Sequence, residues 1–260
     1  FVTFVFKKKS MRKTSPRLPA LITIFVLIGL ILIGCSREIA TATPDVSEAT
    51  ATRSATTATE EFIPIVPQDA EETVIFSYEE DGYAHLFATI PNKMPHTRLT
   101  ANDWDDTSPA ASPDGKKLAF SSNRSGFWDL YLLDLSNGEV TQLTDTPTYE
   151  GSPTWSPDGS FIAYEAYLNE NLEIVIGPAD DPLNDSVRLT NSLAADYSPA
   201  WAPGGRQIAF ISNGEVILAD LDITDDQRFT NLSNTELASE AHPVWSPDGK
   251  RIAFESDRTG

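Results

Sequence analysis

The chain has 260 residues, 40% of them hydrophobic and 22% charged, with a formal net charge of −19 and an isoelectric point near 4.4. That apolar share is enough for a packed core, and the acidic balance excludes a nucleic-acid surface built from basic patches. One cysteine and three histidines exclude a disulfide framework and a Cys/His zinc cluster.

Residue 1 is Phe and the first methionine is Met11, the expected start of translation. Basic Arg12, Lys13 and Arg17 precede an apolar run of fourteen residues from Ala20 to Ile33. This is the length of a signal h-region and falls short of the roughly 20 residues that a spanning helix needs. The run ends on Leu32-Ile-Gly-Cys35, which resembles the lipobox of bacterial lipoproteins. That resemblance implies cleavage before Cys35, acyl chains on its thiol and new amino group, and an exported product tethered to a bacterial membrane, facing periplasm or exterior. The alternative makes Cys35 a spectator beside an uncleaved anchor. Two or more acyl chains, at about 0.8 kcal/mol per buried methylene, would hold the protein stably.

From Ser36 to about Ala70 the chain turns to Thr, Ala, Ser, Pro and Glu, as in Ala40-Thr-Ala-Thr-Pro44. Too few large apolar residues are present to offset ordering entropy, so a disordered tether is expected. The expected segments are a signal peptide over 1–34, lipidated Cys35 and linker over 35–70, and a repeat domain over 71–260. All 38 acidic residues follow Cys35 while six of the 19 basic ones precede it, leaving a formal charge of −25 on the mature part. Such a surface favours basic or cationic partners.

Val74-Ile-Phe-Ser77, Tyr83-Ala-His-Leu-Phe87 and Arg98-Leu-Thr100 form a first, partial repeat. Three full copies and the start of another follow, opening on Ser108-Pro-Ala-Ala-Ser-Pro-Asp-Gly115, Ser152-Pro-Thr-Trp-Ser-Pro-Asp-Gly159, Ser198-Pro-Ala-Trp-Ala-Pro-Gly-Gly205 and His242-Pro-Val-Trp-Ser-Pro-Asp-Gly249. They start 44, 46 and 44 positions apart. A period of about 40–50 residues marks a propeller or solenoid, whose unit cannot bury its own apolar face. Each phrase predicts a first strand and a hairpin turn at Pro-Asp-Gly. A second strand follows at Lys117-Leu-Ala-Phe-Ser121, Phe161-Ile-Ala-Tyr-Glu165, Gln207-Ile-Ala-Phe-Ile211 and Arg251-Ile-Ala-Phe-Glu255. Its recurring alanine, at 119, 163, 209 and 253, suggests a face pressed against a neighbour. A third strand at 129–134, 172–176 and 215–219 and a fourth at Gln142, Arg188 or Asn231 complete four strands per unit. The partial copy lacks the first strand, which a later repeat is expected to supply.

The combination Ser-Pro-x-Trp-Ser-Pro-Asp-Gly, x-x-Ile-Ala-Phe and Ser256-Asp-Arg-Thr-Gly260 resembles the repeat of TolB-like β-propellers, relatives of the tryptophan–aspartate-repeat propellers. The resemblance covers about residues 73–260. It implies an all-β propeller of four-stranded blades, with four to five blades represented out of a six-bladed ring. Ala111 in place of Trp, Gly204 in place of Asp and the short turn Ser212-Asn-Gly214 depart from the pattern. No counterpart of the amino-terminal α/β domain of TolB is recognisable.

Asp106, Glu150, Asp196 and Glu240 stand two residues before each phrase. Rotation about a ring would carry one carboxylate per blade to the mouth of the central channel, as acceptors for a basic segment or a divalent cation such as calcium. The competing reading makes each a brace, bonded to the backbone of its own turn or paired with Arg98, Arg188 or Arg228. No Gly-x-Ser-x-Gly elbow, His-Glu-x-x-His or phosphate-binding glycine loop occurs. His85, His96 and His242 do not pair at metal spacing, and Trp155, Trp201 and Trp245 share one repeat position and are expected in the core. Trp104 and Trp128 have no assigned place. The expected function is non-enzymatic binding of a protein, peptide or glycan, without cofactor. The alternative is the gating propeller of a prolyl-oligopeptidase or dipeptidyl-peptidase-like hydrolase whose catalytic domain lies beyond Gly260.

Overall fold

A computed structural model describes residues 2–3, 73–91, 95–235 and 238–258. Apart from residues 2–3, the expected signal, with Cys35 and the tether, lies outside the described residues. Blade 1 holds β1 (Val2–Thr3), β2 (Thr73–Glu80), β3 (Tyr83–Thr89) and β4 (Thr97–Arg98). Blade 2 holds β5 (Asp106–Ala111), β6 (Lys117–Ser122), β7 (Asp129–Asp134) and β8 (Val140–Gln142). Blade 3 holds β9 (Glu150–Trp155), β10 (Phe161–Leu168), β11 (Asn171–Pro178) and β12 (Val187–Arg188). Blade 4 holds β13 (Asp196–Trp201), β14 (Gln207–Ser212), β15 (Glu215–Asp220) and β16 (Phe229–Asn231), with one 3-10 turn at Asp226–Arg228. Blade 5 contributes β17 (Glu240–Trp245) and β18 (Ile252–Ser256). In blades 2 to 4 the strands pair antiparallel in sequence order, the meander expected of a propeller blade.

The core is three layers, each shared by consecutive blades. Ile75 and Leu86 of blade 1 pack with Leu118, Phe120 and Leu133 of blade 2. Ala119 and Leu130 of blade 2 pack with Ile162, Tyr164 and Val175 of blade 3. Ala163, Ile174 and Leu189 of blade 3 pack with Ile208 and Phe210 of blade 4. Covered on both faces, the second strands of blades 2 to 4 read as unbroken apolar runs instead of alternating ones. The recurring alanine is fully buried at 119, 163 and 209, and exposed at 253. Trp155 and Trp201 are partly buried against these layers. The indole N–H of Trp155 donates to Ala110 O at 2.9 Å and that of Trp245 to Ala200 O at 3.0 Å, so each ties its blade to the one before. Trp201 instead donates to Gly205 O of its own turn.

In blade 1 Val2–Thr3 runs parallel to β2, in register with Thr73 and Val74. These residues precede the expected cleavage before Cys35, so in the processed chain that edge of β2 is left for the expected strand of a later repeat. An uncovered strand edge presents a row of unpaired N–H and C=O groups that any extended segment can meet.

Candidate functional site

The inner strand of blades 2 to 5 begins on the acidic residue singled out in the sequence and reaches the left-handed region two residues later. Ser108, Ser152, Ser198 and His242 have φ of 51, 50, 55 and 49°. Each is followed by proline, which disfavours right-handed helical backbone before it. The register against the second strand shifts at this point in all four blades, a β-bulge that re-aims the residues around it.

The four carboxylates Asp106, Glu150, Asp196 and Glu240 are buried, with exposures of 0, 2, 1 and 1%. Their partners divide them into two pairs. Asp106 Oδ1 accepts from Arg124 Nη2 at 2.8 Å, and Glu240 Oε1 accepts from Arg258 Nη2 at 2.7 Å. Each arginine is held by a second bond, Nε to Ser122 Oγ or Ser256 Oγ, both at 2.9 Å. Arg124 also stacks on Trp104, Phe120 and Tyr131, which gives the unplaced Trp104 its position. Among the described residues, Glu150 and Asp196 have no arginine. Thr146 and Thr148 hydroxyls donate to Glu150 Oε1, and the Ser192 hydroxyl donates to Asp196 Oδ2 at 3.2 Å.

The braces suggested from sequence are therefore formed by other arginines. Arg98 pairs with Glu80 and Arg188 with Glu173, while Arg228 donates to Asp225 O. Arg98 and Arg188 sit on outermost strands and Arg228 just before one, so they do not reach the inner strand. Arg124 and Arg258 lie in the loop after the second strand, which returns to the inner-strand start. The spacing Ser-x-Arg was visible in the sequence, but its link to an acid 18 positions earlier was not.

Sequence reasoning also missed a second set of acids, at the start of the third strand. Asp129 accepts from the Ser125 hydroxyl and from Thr146 N, Glu173 from Thr190 Oγ1 and Arg188, and Glu215 from the Ser233 hydroxyl and Thr235 N. Thr146 and Thr235 bridge the two sets: backbone N–H to the acid of one blade, hydroxyl to Glu150 or Glu240 of the next. His85 occupies the equivalent place in blade 1, buried, its Nδ1 without a partner. The signal that could have found this set is the Leu-Thr or Leu-Ser that ends each repeat. Thr100, Thr144, Thr190 and Ser233 accept the backbone N–H of Leu86, Leu130, Ile174 and Val216 just after these positions.

Electrostatics follow the same division. Burial pushes the Glu150 carboxyl up, helped by nearby Asp129, against the bonds from Thr146 and Thr148. Burial pushes the Asp196 carboxyl up as well, with Glu173 adding to it. At Glu240 burial acts in the same sense, but hydrogen bonds from Ser256, Arg258 and Thr235 outweigh it and hold the carboxyl below its usual range. Among the described residues, one oxygen of each ring carboxylate has no hydrogen-bond partner: Asp106 Oδ2, Glu150 Oε2, Asp196 Oδ1 and Glu240 Oε2. Among the described residues, no three His, Cys, Asp or Glu side chains converge as a metal site.

A profile of the TolB β-propeller domain matches residues 49–217 and 152–260. The chain belongs to the TolB β-propeller family. Among solved structures, the TolB propeller is similar to a protein assigned as TolB in Agrobacterium tumefaciens: 21% identity, TM-score 0.59, covering 71% of this chain and 73% of that one. TolB of Acinetobacter baumannii is 26% identical with TM-score 0.56, covering 66% of this chain and 42% of that one. A prolyl endopeptidase is similar at 17% identity and TM-score 0.50, with 67% of this chain and 29% of that one covered. The TolB propeller here thus spans less than half of the Acinetobacter protein and under a third of the peptidase. Among the described residues, no helix is long and apolar enough to cross a membrane.

Proposed function

We propose that this TolB-type propeller is a binding module that takes a basic protein or peptide segment on the face where its inner strands begin. The observation that carries the reading is the set of oxygens without donors. Among the described residues, seven buried side-chain nitrogen and oxygen atoms lack a partner, and the four that belong to carboxylates fall on one position of four successive blades. A buried acceptor with no donor costs about 1–3 kcal/mol. Its repetition at one ring position fits a ligand that brings donors of its own. Lysine and arginine are donor-only groups, and their bonds to carboxylates are charge-assisted. The formal charge of −25 after Cys35 draws such a ligand to the surface before contact. A glycan would offer neutral hydroxyls and gain less from ionised acceptors.

Selection of peptides from an unbiased display library on the immobilised protein tests this. Sequences rich in Lys and Arg should be enriched, and their capture should fall with added salt. Enrichment of acidic or uncharged sequences would contradict the reading.

The likeness to a prolyl endopeptidase favours a second reading, in which the propeller gates a hydrolase domain of the same polypeptide. Cleavage of prolyl peptides by the natural full-length protein, abolished by a serine-directed inhibitor, would establish it.

The module is placed at the bacterial envelope by lipid on Cys35. Replacing Cys35 with serine should abolish incorporation of a fatty-acid analogue and leave a longer precursor. Unchanged labelling would remove the anchor from the account.

A further inference from the structure

The Pro-Asp-Gly turns lie at the far end of the inner strands from the ring carboxylates, and a cavity of about 700 Å³ opens between those of blades 2 and 3. Its walls include Asp114 and Lys117 of blade 2 with Trp155, Asp158, Ser160 and Asp180 of blade 3. The indole N–H of Trp155 is committed to Ala110 O, so the ring contributes apolar and π surface there. Lys117 also lines the cavity, opposite Asp134 in the β6–β7 register, and its charge helps lower the Asp134 carboxyl without forming an ion pair among the described residues.

Blade 4 shows what this position accepts. Its turn reads Ala202-Pro-Gly-Gly-Arg206, and Arg206 forms an ion pair with Asp222. The backbone bonds Ala179 N to Ser160 O and Leu221 N to Arg206 O establish the equivalence of the two blades. Ser160 therefore stands where Arg206 does, and Asp180 where Asp222 does. Blade 3 keeps the carboxylate and replaces the guanidinium with a serine. It adds Asp158, where blade 4 has Gly204. Among the described residues Asp180 makes no ion pair. Hydrogen bonds from Ser156 and the Ser160 backbone hold the Asp158 carboxyl below its usual range, so it is charged at neutral pH.

We propose that the cavity between blades 2 and 3 is a receptor for an arginine side chain of a basic peptide, seated against Trp155 between Asp158 and Asp180. The guanidinium meets Asp180 as Arg206 meets Asp222 within blade 4. The site is separate from the ring carboxylates and stands whether or not they bind a ligand.

The test is titration of the full chain with acetyl-triarginine amide, followed by indole fluorescence and calorimetry, with the tricitrulline peptide as the uncharged isostere. Triarginine should bind and tricitrulline should bind at least tenfold more weakly. Asp180→Asn should weaken triarginine binding about fivefold. Ser160→Arg, which supplies the internal guanidinium, should weaken it more than tenfold. Both positions are exposed, and an unchanged melting temperature will show that the variants fold. Binding in Ser160→Arg with an unchanged affinity and number of sites, equal binding of the citrulline peptide, or no binding to the wild type would overturn the proposal. A loss seen only in Glu150→Gln would do so too, because it moves the peptide to the other end of the strands.

Discussion

Asp106 and Glu150 hold the same position in successive blades, and one arginine separates their chemistry. Asp106 is ion-paired to an arginine whose side chain is 18% exposed and which stacks on three rings, so Asp106→Asn strands a largely buried cation. That change should cost about 3 kcal/mol. Glu150 has hydroxyl donors only and faces Asp129, so Glu150→Gln keeps an acceptor for Thr146 and removes a buried like-charge contact. The variant should be more stable than wild type at pH 8 and match it near pH 4. The sign follows from proton binding: burial raises the folded carboxyl, so the folded chain holds more protons, and stability falls as pH rises past about 4. Thermal melts of both variants across pH 4–8 check the opposite signs. The period of these acids was legible in the sequence. Their burial was not, because it depends on the left-handed bulge two residues on, which the letters Ser-Pro do not reveal.

At the scale of strands, legibility followed burial. β6, β10 and β14 are covered on both sides, and their continuous apolar runs stood out. β4, β8, β12 and β16 are only two or three residues long and largely exposed, so little beyond their position in the period marked them. The third-strand acids hid among ordinary strand-end polar residues until the hydroxyl of the closing Thr or Ser was placed beside them. The recurring alanine was legible as a close contact. Ala163 is fully buried within a layer formed with Ile208 and Phe210, leaving no room for a larger side chain. Ala163→Leu should cost about 1–3 kcal/mol through overpacking, whereas Ala253→Leu, at an exposed site, should change stability by less than about 0.5 kcal/mol. Urea denaturation of the two variants makes the comparison, and equal losses would count against blade-on-blade packing as the source of the alanine pattern.

For the molecule as a whole, the proposed binding role would make the ring carboxylates the link between stability and binding. Glu150 and Asp196, the two without arginines, are raised by burial and cost the free fold stability, which fits a face kept ready for a ligand. The most direct measurement is the affinity of the Glu150→Gln/Asp196→Asn double variant for the best basic peptide from the display selection, taken beside its melting temperature at pH 7.5. The account predicts a variant that melts higher than wild type and binds the peptide at least tenfold more weakly, with a flatter salt dependence. A variant that melts higher and binds with unchanged affinity would contradict it, and would leave these carboxylates as braces of the propeller loops alone.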